Sequence, residues 1–432
     1  MEGESTSAIL TGRPRAGWSA VASLRAAARS ATLRDAWHAL WLSRILIWAV
    51  GVFALLQLGR RPGWARFDPA GLTAPFGELG NLLVAPGARW DSVWYLAIAQ
   101  DGYGDHTRAA FFPLYPGLAD VVGLPFGSAL VGGLVVSGAC FLAALCAIHR
   151  LASIELGETF ARPAVLLVAF FPMSFFFSAV YSESLFLACS AGAFLAARRE
   201  RWLWAALLGG LAAATRSIGV LLVLPLAWLY LRGPRSIGPR PGWRYPLRWS
   251  AAWLLLVPVG LGVYLSYLAA NGIDALAPFH VQEAWLRHFS APLGGVWDGA
   301  RAAWDGVRQL ASGSRTPVFF GGAGGDSFQV AGQNIMLFAF LALAVLALVG
   351  VLRRLPFAYG LYVATALLLP LSYPVSAQPL MSLPRFLAVL FPLHLWAASW
   401  AQERGRLTTI LAGGAVLLGL FTAQFAVWDF VA

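Results

Sequence analysis

Long apolar runs recur along this chain of 432 residues and constrain its fold more than any other feature. A helix of about 20 apolar residues crosses the hydrocarbon core of a lipid bilayer. About eleven runs approach that length: 38–58, 128–149, 163–180, 184–197, 202–214, 218–231, 250–270, 333–352, 355–373, 386–402 and 407–428. The pattern therefore predicts an all-α polytopic membrane protein.

The composition excludes other classes of protein. Hydrophobic residues make up 59% of the chain and charged residues 12%, whereas a soluble domain carries about 25% charged residues. A soluble fold would leave large apolar areas in water, and a disordered chain needs more charge. All 31 basic residues are arginine, which excludes a lysine-dependent phosphate loop. The three cysteines lie in apolar runs, so no disulfide framework is predicted.

The arginine distribution predicts the orientation of the chain. With the N-terminus in the cytoplasm, the inner segments carry 20 arginines and 7 acidic residues, and the outer segments carry 11 and 13. This bias follows the positive-inside rule, so the basic charge indicates a membrane protein and not a nucleic-acid partner. Arginines flank residues 202–231 at both ends, which predicts a hairpin with Thr215, Arg216 and Ser217 at its outer tip.

The same map divides the chain into two parts. Residues 1–37 form a cytoplasmic tail, either loose or lying on the membrane surface as a helix. Residues 38–432 form one transmembrane domain with two long external segments, 59–127 and 271–332, in which short interfacial helices are expected. In the second segment Trp297 and Trp304 are seven residues apart, which places both on one face of a helix. That face contacts either lipid or protein.

Ionisable residues gather in the segments assigned to the external side. Asp91 lies in the stretch from Arg89 to Tyr103, which reads as a short helix that stops at Gly102. Asp91 is either the N-cap of that helix or a functional carboxylate. Aromatic and proline residues follow at Phe111–Pro116 and indicate a turn that enters the next span.

Three later residues can likewise be interpreted in two ways, as structural residues or as residues of a functional site. Glu183 follows Tyr181 at the start of an apolar run, where it either complements the helix dipole or contributes to a site. Arg216 is alone at the predicted hairpin tip and either reaches back toward the interface or binds a ligand. Arg385, in Pro384-Arg385-Phe386, is again external and beside a helix start.

Two carboxylates and two arginines on one membrane face suit sugar transfer from a lipid-linked phosphate. The acceptor hydroxyl needs a base, usually a carboxylate. The departing phosphate needs its charge neutralised, and arginine does so with a matching fork of donors. No Asp-x-Asp triplet and no metal-ligand cluster occur, so neither a metal nor another cofactor is predicted.

The ordered motifs resemble the PIG-V-type mannosyltransferase family of GT-C glycosyltransferases. The resemblance rests on Arg89–Tyr103, Phe111–Pro116, Phe177–Phe186 and Thr215–Ser217, with a less specific match at Pro384–Phe386. It implies a GT-C fold, a polyprenyl-phosphate-linked mannose donor used on the external face, and inversion at the sugar. It assigns catalysis to Asp91. Substrate binding would involve Arg89, Trp90, Tyr95, Tyr181, Glu183, Arg216 and Arg385.

The expected partners are the lipid-linked donor, a glycolipid, glycan or protein acceptor, and membrane lipids, without nucleic acid. The composition, without lysine and rich in Ala, Arg and Gly, favours a bacterial member of the family. Two other classes stay open: a transporter or flippase for a lipid-linked substrate, and a non-catalytic GT-C-like subunit. No repeated halves are visible, and the charged residues lie at one face, which favours an enzyme over a transporter.

Overall fold

The computed structural model describes residues 16–233, 247–319, 326–376 and 378–431, with side chains described from residue 30 onward. Within these ranges the protein is helical and has no β-strand, only one antiparallel bridge between Arg287 and Val375. The all-α prediction is confirmed. The α-helices are α1 Ala16–Leu58, α2 Gly77–Leu83, α3 Ser92–Asp101, α4 Leu114–Gly123, α5 Ala129–Glu155, α6 Ala161–Ala169, α7 Glu183–Arg198, α8 Trp202–Ala213, α9 Val223–Arg232, α10 Leu256–Ala270, α11 Ala277–His280, α12 Gly294–Ser312, α13 Ser327–Arg354, α14 Phe357–Ser372, α15 Leu383–Ala388, α16 Phe391–Glu403 and α17 Leu407–Ala426.

Five helical stretches in the described part of the chain are long and apolar enough to cross a membrane. They are Ser30–Leu58, Ala129–Glu155, Trp249–Ala270, Ser327–Arg354 and Leu407–Ala426. The other apolar runs form shorter helices, so the predicted count of eleven spans is not confirmed. The membrane-embedded class is confirmed by these five stretches. The predicted boundary between tail and domain at residue 37 falls inside the continuous helix α1.

The expected single span over residues 163–180 is wrong. Helix α6 ends at Ala169, and the chain then runs as turns and a 3-10 segment, Ser174–Ser178, up to the start of α7. Pro172 lacks the N–H that would continue the helix. Two carbonyl groups at this break are instead satisfied by Arg44 of α1, which donates to Ala169 O at 3.3 Å and to Ser174 O at 2.9 Å.

The predicted hairpin around Arg216 is confirmed. Helix α8 ends at Ala213, Arg216 adopts an extended backbone, and a 3-10 segment Ser217–Leu222 leads into α9. Gly219 allows the two arms to touch, because a Cβ there would lie 2.3 Å from the carbonyl group of Ala212. The tip therefore stays close to α8 and directs Arg216 into the protein.

The two segments predicted to be external, 59–127 and 271–332, contain short helices, as expected. Helices α2, α3 and α4 occupy the first segment, and α12 occupies the second. On α12, Trp297 and Trp304 are 67% and 63% exposed, while Gly306 packs against α13. The two tryptophans thus share one exposed face. The ion pair observed on this helix joins Asp305 to Arg308, at 3.3 Å.

Helix α7 lies at the centre of the molecule. It packs on α5 and α8, and most of its side chains are buried, including Glu183 at its first residue. Because the broken stretch before α7 is held by Arg44, the position of Glu183 depends on a residue of α1. Contacts between α1 and the broken stretch thus help to fix the residues at the start of α7.

We expect Arg44→Met to lower the thermal stability of the purified protein. The change removes the donors to two carbonyl groups and to the hydroxyl groups of Ser174 and Ser178, at 2.5 and 2.7 Å. Each buried acceptor left without a partner costs about 1–3 kcal/mol. The midpoint of thermal unfolding should fall by several degrees, measured in detergent by loss of the monodisperse species. The exposed Arg34→Met is the control; equal midpoints for the two variants would contradict the role given to Arg44.

Candidate functional site

A cavity of about 1090 Å³ lies where segments 59–127 and 271–332, the Arg216 hairpin tip, α15 and the end of α17 meet. Its lining residues include Trp90, Asp91, Tyr95, Tyr181, Arg216, Arg287 and Arg385. They come from distant parts of the sequence and are brought together by the packing of the helices. The volume lies just above the range of about 300–1,000 Å³ that is usual for a small-molecule site.

Asp91 occupies the N-cap position of α3, but its carboxylate does not cap the helix. Oδ2 instead pairs with Nη1 of Arg385 at 2.5 Å, and the side chain is 26% exposed. The backbone N–H of Asp91 donates to the hydroxyl oxygen of Tyr181 at 3.1 Å. That hydroxyl group donates in turn to the carbonyl oxygen of Arg89. The carboxylate is therefore turned toward the cavity, away from the helix it begins.

Glu183 holds the two predicted arginines together. It is completely buried, and its Oε1 accepts hydrogen bonds from Nε of Arg385 and from Nη1 of Arg216, the latter at 2.6 Å. Glu183 does not line the cavity, in contrast to the expectation that it contacts substrate. Its carboxylate lies behind the guanidinium groups because both arginines reach it from the cavity side. Glu183 thus positions Arg216 and Arg385.

A third arginine, Arg287, lines the cavity and was missed by the sequence analysis. Its guanidinium group donates to the carbonyl oxygen of Tyr373 at 3.1 Å. The ring of Phe386 lies beside both Arg287 and Arg216, at 5.8 and 5.6 Å from their guanidinium carbons. Arg287 was only one of several external arginines in sequence, without a motif around it. Its place is set by the bridge to Val375, a long-range contact.

The charges of the site favour an anion. Three guanidinium groups, of Arg216, Arg287 and Arg385, accompany two carboxylates, of Asp91 and Glu183. Burial and the neighbouring Arg385 lower the pKa of Arg287 to about 10, so Arg287 still carries its charge at neutral pH. An excess of planar guanidinium groups matches the geometry of a phosphate. Asp91 is the only carboxylate among the described residues that line the cavity.

The aromatic residues predicted for the site do line the cavity. The ring of Tyr181 lies under the guanidinium group of Arg385, at 4.6 Å. The hydroxyl group of Tyr95 pairs with Ser182 at 2.8 Å, and burial raises the pKa of Tyr95 to about 12. Tyr95 therefore keeps its proton at neutral pH. Trp90 precedes Asp91 and also lines the cavity.

Arg89 was predicted to bind substrate, but the structure places it away from the cavity. Its side chain is completely buried, does not line the cavity, and donates to the carbonyl oxygens of Ala85, Ala88 and Ala426 at 2.6–2.8 Å. It therefore ties the end of α17 to the turn before Asp91. The arginine fixes that turn, because Ala85, Ala88 and Ala426 are buried and a buried carbonyl group without a hydrogen-bond partner is costly. Arg89 is a positioning residue in this structure.

Fold and site together define a polytopic membrane protein with a cavity that combines a carboxylate and an excess of arginines. Residues 76–231 match the model of a known family, described as mannosyltransferase (PIG-V). This segment contains Asp91, Tyr181, Glu183 and Arg216. This match confirms, over residues 76–231, the resemblance to the PIG-V-type mannosyltransferases that the motifs predict.

Two relatives align with the chain over part of their length. The GPI alpha-1,6-mannosyltransferase 2 of Rattus norvegicus is 33% identical over 36% of this chain and 35% of its own. The GPI mannosyltransferase 2 of Chaetomium globosum is 30% identical over 33% of this chain and 32% of its own. The chain thus spans about a third of the length of the curated relatives it matches.

Two solved structures of an archaeal oligosaccharyltransferase align with part of this chain. The oligosaccharyltransferase of Archaeoglobus fulgidus, tethered to an acceptor peptide, gives a TM-score of 0.38 at 12% identity. The alignment covers 74% of this chain and 47% of that one. The same enzyme with an inhibitory peptide and a dolichol-phosphate gives a TM-score of 0.36 at 13% identity, over 74% and 46% of the two chains.

We expect the cavity to lose affinity for phosphate as the pH rises through the lowered pKa of Arg287, about 10. A base with a lowered pKa is charged below that pKa and neutral above it, so the attraction is present at pH 8 and lost above pH 10. Arg385, Asp91 and Arg216 face Arg287 and set the local field. The measurement is stabilisation of the purified protein against heat by inorganic phosphate at pH 8 to 10.5.

The matched variant is Arg287→Gln, in which binding should be weaker at pH 8 and should change less with pH. Burial also lowers the pKa of Arg89, to about 9. That residue is intact in the variant and does not line the cavity. If the variant loses phosphate binding with pH as steeply as the wild type, Arg287 is not the titrating group.

Proposed function

We propose that this protein is a GT-C-type membrane glycosyltransferase that moves a mannosyl residue from a polyprenyl-phosphate donor to an acceptor hydroxyl group. The observation that carries the proposal is the pairing of Asp91 with Arg385, which Glu183 holds together with Arg216. This pairing puts a carboxylate beside cations that suit a phosphate. The family of residues 76–231 and the names of the two relatives support mannose as the sugar.

In the proposed reaction the acceptor oxygen attacks the anomeric carbon of the donor sugar. Asp91 accepts the proton of that hydroxyl group, and the bond between the anomeric carbon and the phosphate oxygen breaks. The polyprenyl phosphate leaves with the electron pair, next to Arg216, Arg287 and Arg385. A phosphate is a weak base, so its departure requires charge neutralisation and no proton donor.

Inversion at the sugar is part of the proposal. A retaining mechanism through a covalent intermediate needs a second carboxylate that reaches the anomeric carbon. Glu183 is completely buried, and its Oε1 is already bound by two arginines. A single displacement assisted by Asp91 therefore fits the described site.

Arg385 has two tasks in this reaction. Without substrate it holds the carboxylate of Asp91 at 2.5 Å. A donor phosphate that binds Arg385 competes with the Asp91 carboxylate for the same guanidinium group, because both are anions. Its binding therefore weakens the pair between Asp91 and Arg385. Asp91 is then free to accept a proton only when the donor is in place, which limits unproductive reactions with water.

We further propose that the site faces the extracytoplasmic side. The segments that supply Asp91, Arg216 and Arg287 are those that the arginine bias assigns to the outside, and the N-terminus lies in the cytoplasm on the same count. A lipid-linked donor suits that side, because its prenyl chain stays in the bilayer while the sugar phosphate enters the cavity.

We expect Asp91→Asn to lower kcat by about 10²–10⁴-fold, the usual contribution of a general base. The amide keeps the shape of the side chain but cannot accept the proton. The assay is mannosyl transfer by the purified protein from synthetic polyprenyl-phosphate mannose. Asp101→Asn, on the same helix but 57% exposed, is the matched control and should keep full activity. Near-normal turnover by Asp91→Asn would remove Asp91 from the mechanism.

Arg216→Ala should weaken use of the donor more than use of the acceptor. A hydrogen bond to a charged group is worth about 1.5–3 kcal/mol, so the donor KM should rise at least about tenfold. Kinetics with each substrate varied in turn measure the two effects. Arg301→Ala, an exposed position on α12 outside the cavity lining, is the control. A defect confined to the acceptor KM would contradict the role given to Arg216.

A further inference from the structure

Two buried hydroxyl groups outside the cavity connect the middle of the bundle to the stretch before α7. Tyr115, the second residue of α4, and Ser137 of α5 are both completely buried and do not line the cavity. Their oxygen atoms lie 2.9 Å apart, and the hydroxyl group of Tyr115 is also 3.0 Å from the carbonyl oxygen of Gly133. We call Tyr115 and Ser137 the hydroxyl pair. The proposed reaction gives neither of them a task.

The hydroxyl pair is bonded to the irregular backbone of residues 179–182. Oγ of Ser137 donates to the carbonyl oxygen of Ala179 at 2.7 Å. This bond uses the one hydrogen of the serine hydroxyl group, so its oxygen is left to accept from Tyr115. The same carbonyl oxygen of Ala179 accepts the N–H of Tyr181 at 2.8 Å. A shift of the Ala179 carbonyl group therefore moves the backbone of Tyr181 as well.

Tyr181 in turn contacts two charged residues of the site. Its hydroxyl oxygen accepts the backbone N–H of Asp91 at 3.1 Å, and its ring lies 4.6 Å from the guanidinium carbon of Arg385. The ring of Tyr95 lies between the rings of Tyr115 and Tyr181, with centroids 5.1 and 6.1 Å away. Hydrogen bonds and ring packing thus form a continuous connection from α4 to the start of α3.

We propose that the hydroxyl pair positions Asp91, the proposed base, from outside the cavity. It acts through the backbone of Ala179 and Tyr181, so Tyr115 and Ser137 are positioning residues. The inference rests on the proposed function and adds two residues to it. A general base has to lie within hydrogen-bond reach of the proton that it accepts, and a displacement of about 1 Å can lower a rate about 10²-fold. Groups that fix the backbone of Tyr181 therefore affect turnover without touching a substrate.

The hydroxyl group of Tyr115, and not its ring, is the part that directs Ser137. Phenylalanine at position 115 would keep the ring contact with Tyr95 but would leave Ser137 without its donor. A serine in a helix can then turn to the carbonyl oxygen four residues earlier, here that of Gly133. Ala179 would lose its hydrogen bond from α5, and the backbone of the next residues would be free to shift.

The test compares this pair with a second tyrosine–serine pair that lies away from the cavity. Tyr115→Phe and Ser137→Ala should each lower kcat at least about tenfold in the transfer assay used for Asp91→Asn, with the donor KM within about twofold. The double variant should be no slower than the slower single variant, because the two groups act in series. Tyr230→Phe and Ser250→Ala are the matched controls: their hydroxyl groups pair at 2.8 Å, and neither residue lines the cavity. The controls should lose thermal stability to a similar extent and keep the wild-type kcat.

Amide hydrogen exchange of the full chain in nanodiscs tests the positioning role without any turnover. Peptides that cover residues 89–95 and 179–186 should exchange faster in Tyr115→Phe than in the wild type, and at the wild-type rate in Tyr230→Phe. Absence of transfer by the wild type would count against the proposed function alone. Unchanged exchange in Tyr115→Phe, an equal loss of kcat in Tyr230→Phe, or additive losses in the double variant would overturn the role given to the hydroxyl pair.

Discussion

The buried carboxylate of Glu183 is the interaction on which the site depends. It binds Arg385, 202 positions later in the chain, and Arg216, 33 positions later. A buried charge without partners is strongly destabilising, so Glu183 and the two arginines require one another. Removing any one of the three leaves the others in an apolar setting. The bundle is held at this point by charges that also create the excess of guanidinium groups in the cavity.

The break before α7 makes this arrangement possible. If residues 163–180 continued as one helix, Tyr181 and Glu183 would follow its 3.6-residue period. The stretch from Phe170 to Ser182 is instead irregular, and Arg44 stabilises its carbonyl groups from α1. Irregular backbone inside a membrane protein persists only where protein groups or water satisfy it. The hydrogen bonds of Arg44 thus stabilise the stretch that places Tyr181 under Arg385 and Glu183 behind it.

The cavity divides chemistry between two kinds of surface. Charged groups on one side suit a phosphate, whose interaction is strong and depends little on the rest of the ligand. Aromatic rings and amide groups, among them Trp90 and Gln333, line the other side. Asp91 lies between the two sides and is the cavity-lining carboxylate in the described chain. The proposed reaction needs such a boundary, because the proton is removed from one substrate while charge develops on the other.

The sequence alone determined the class of fold and much of the composition of the site. The apolar runs predict a helical membrane protein, and the motifs around Asp91, Glu183, Arg216 and Arg385 identify both the family and four charged residues that the structure brings together. These signals are local: hydrophobic length, a proline, a charge in an apolar setting. Local signals also fixed the hairpin tip at Arg216, because arginines flank both of its arms.

Only the tertiary structure decided which of these residues face the cavity. Arg89 and Asp91 are two positions apart, yet Arg89 turns inward to backbone carbonyl groups while Asp91 turns toward Arg385. Arg287, Gln333 and Trp428 had no motif to mark them, and they join the site through contacts with residues far away in the chain. The direction of a side chain in an irregular segment depends on which distant partner satisfies its charge or fills its space, and no periodicity in the sequence records that partner.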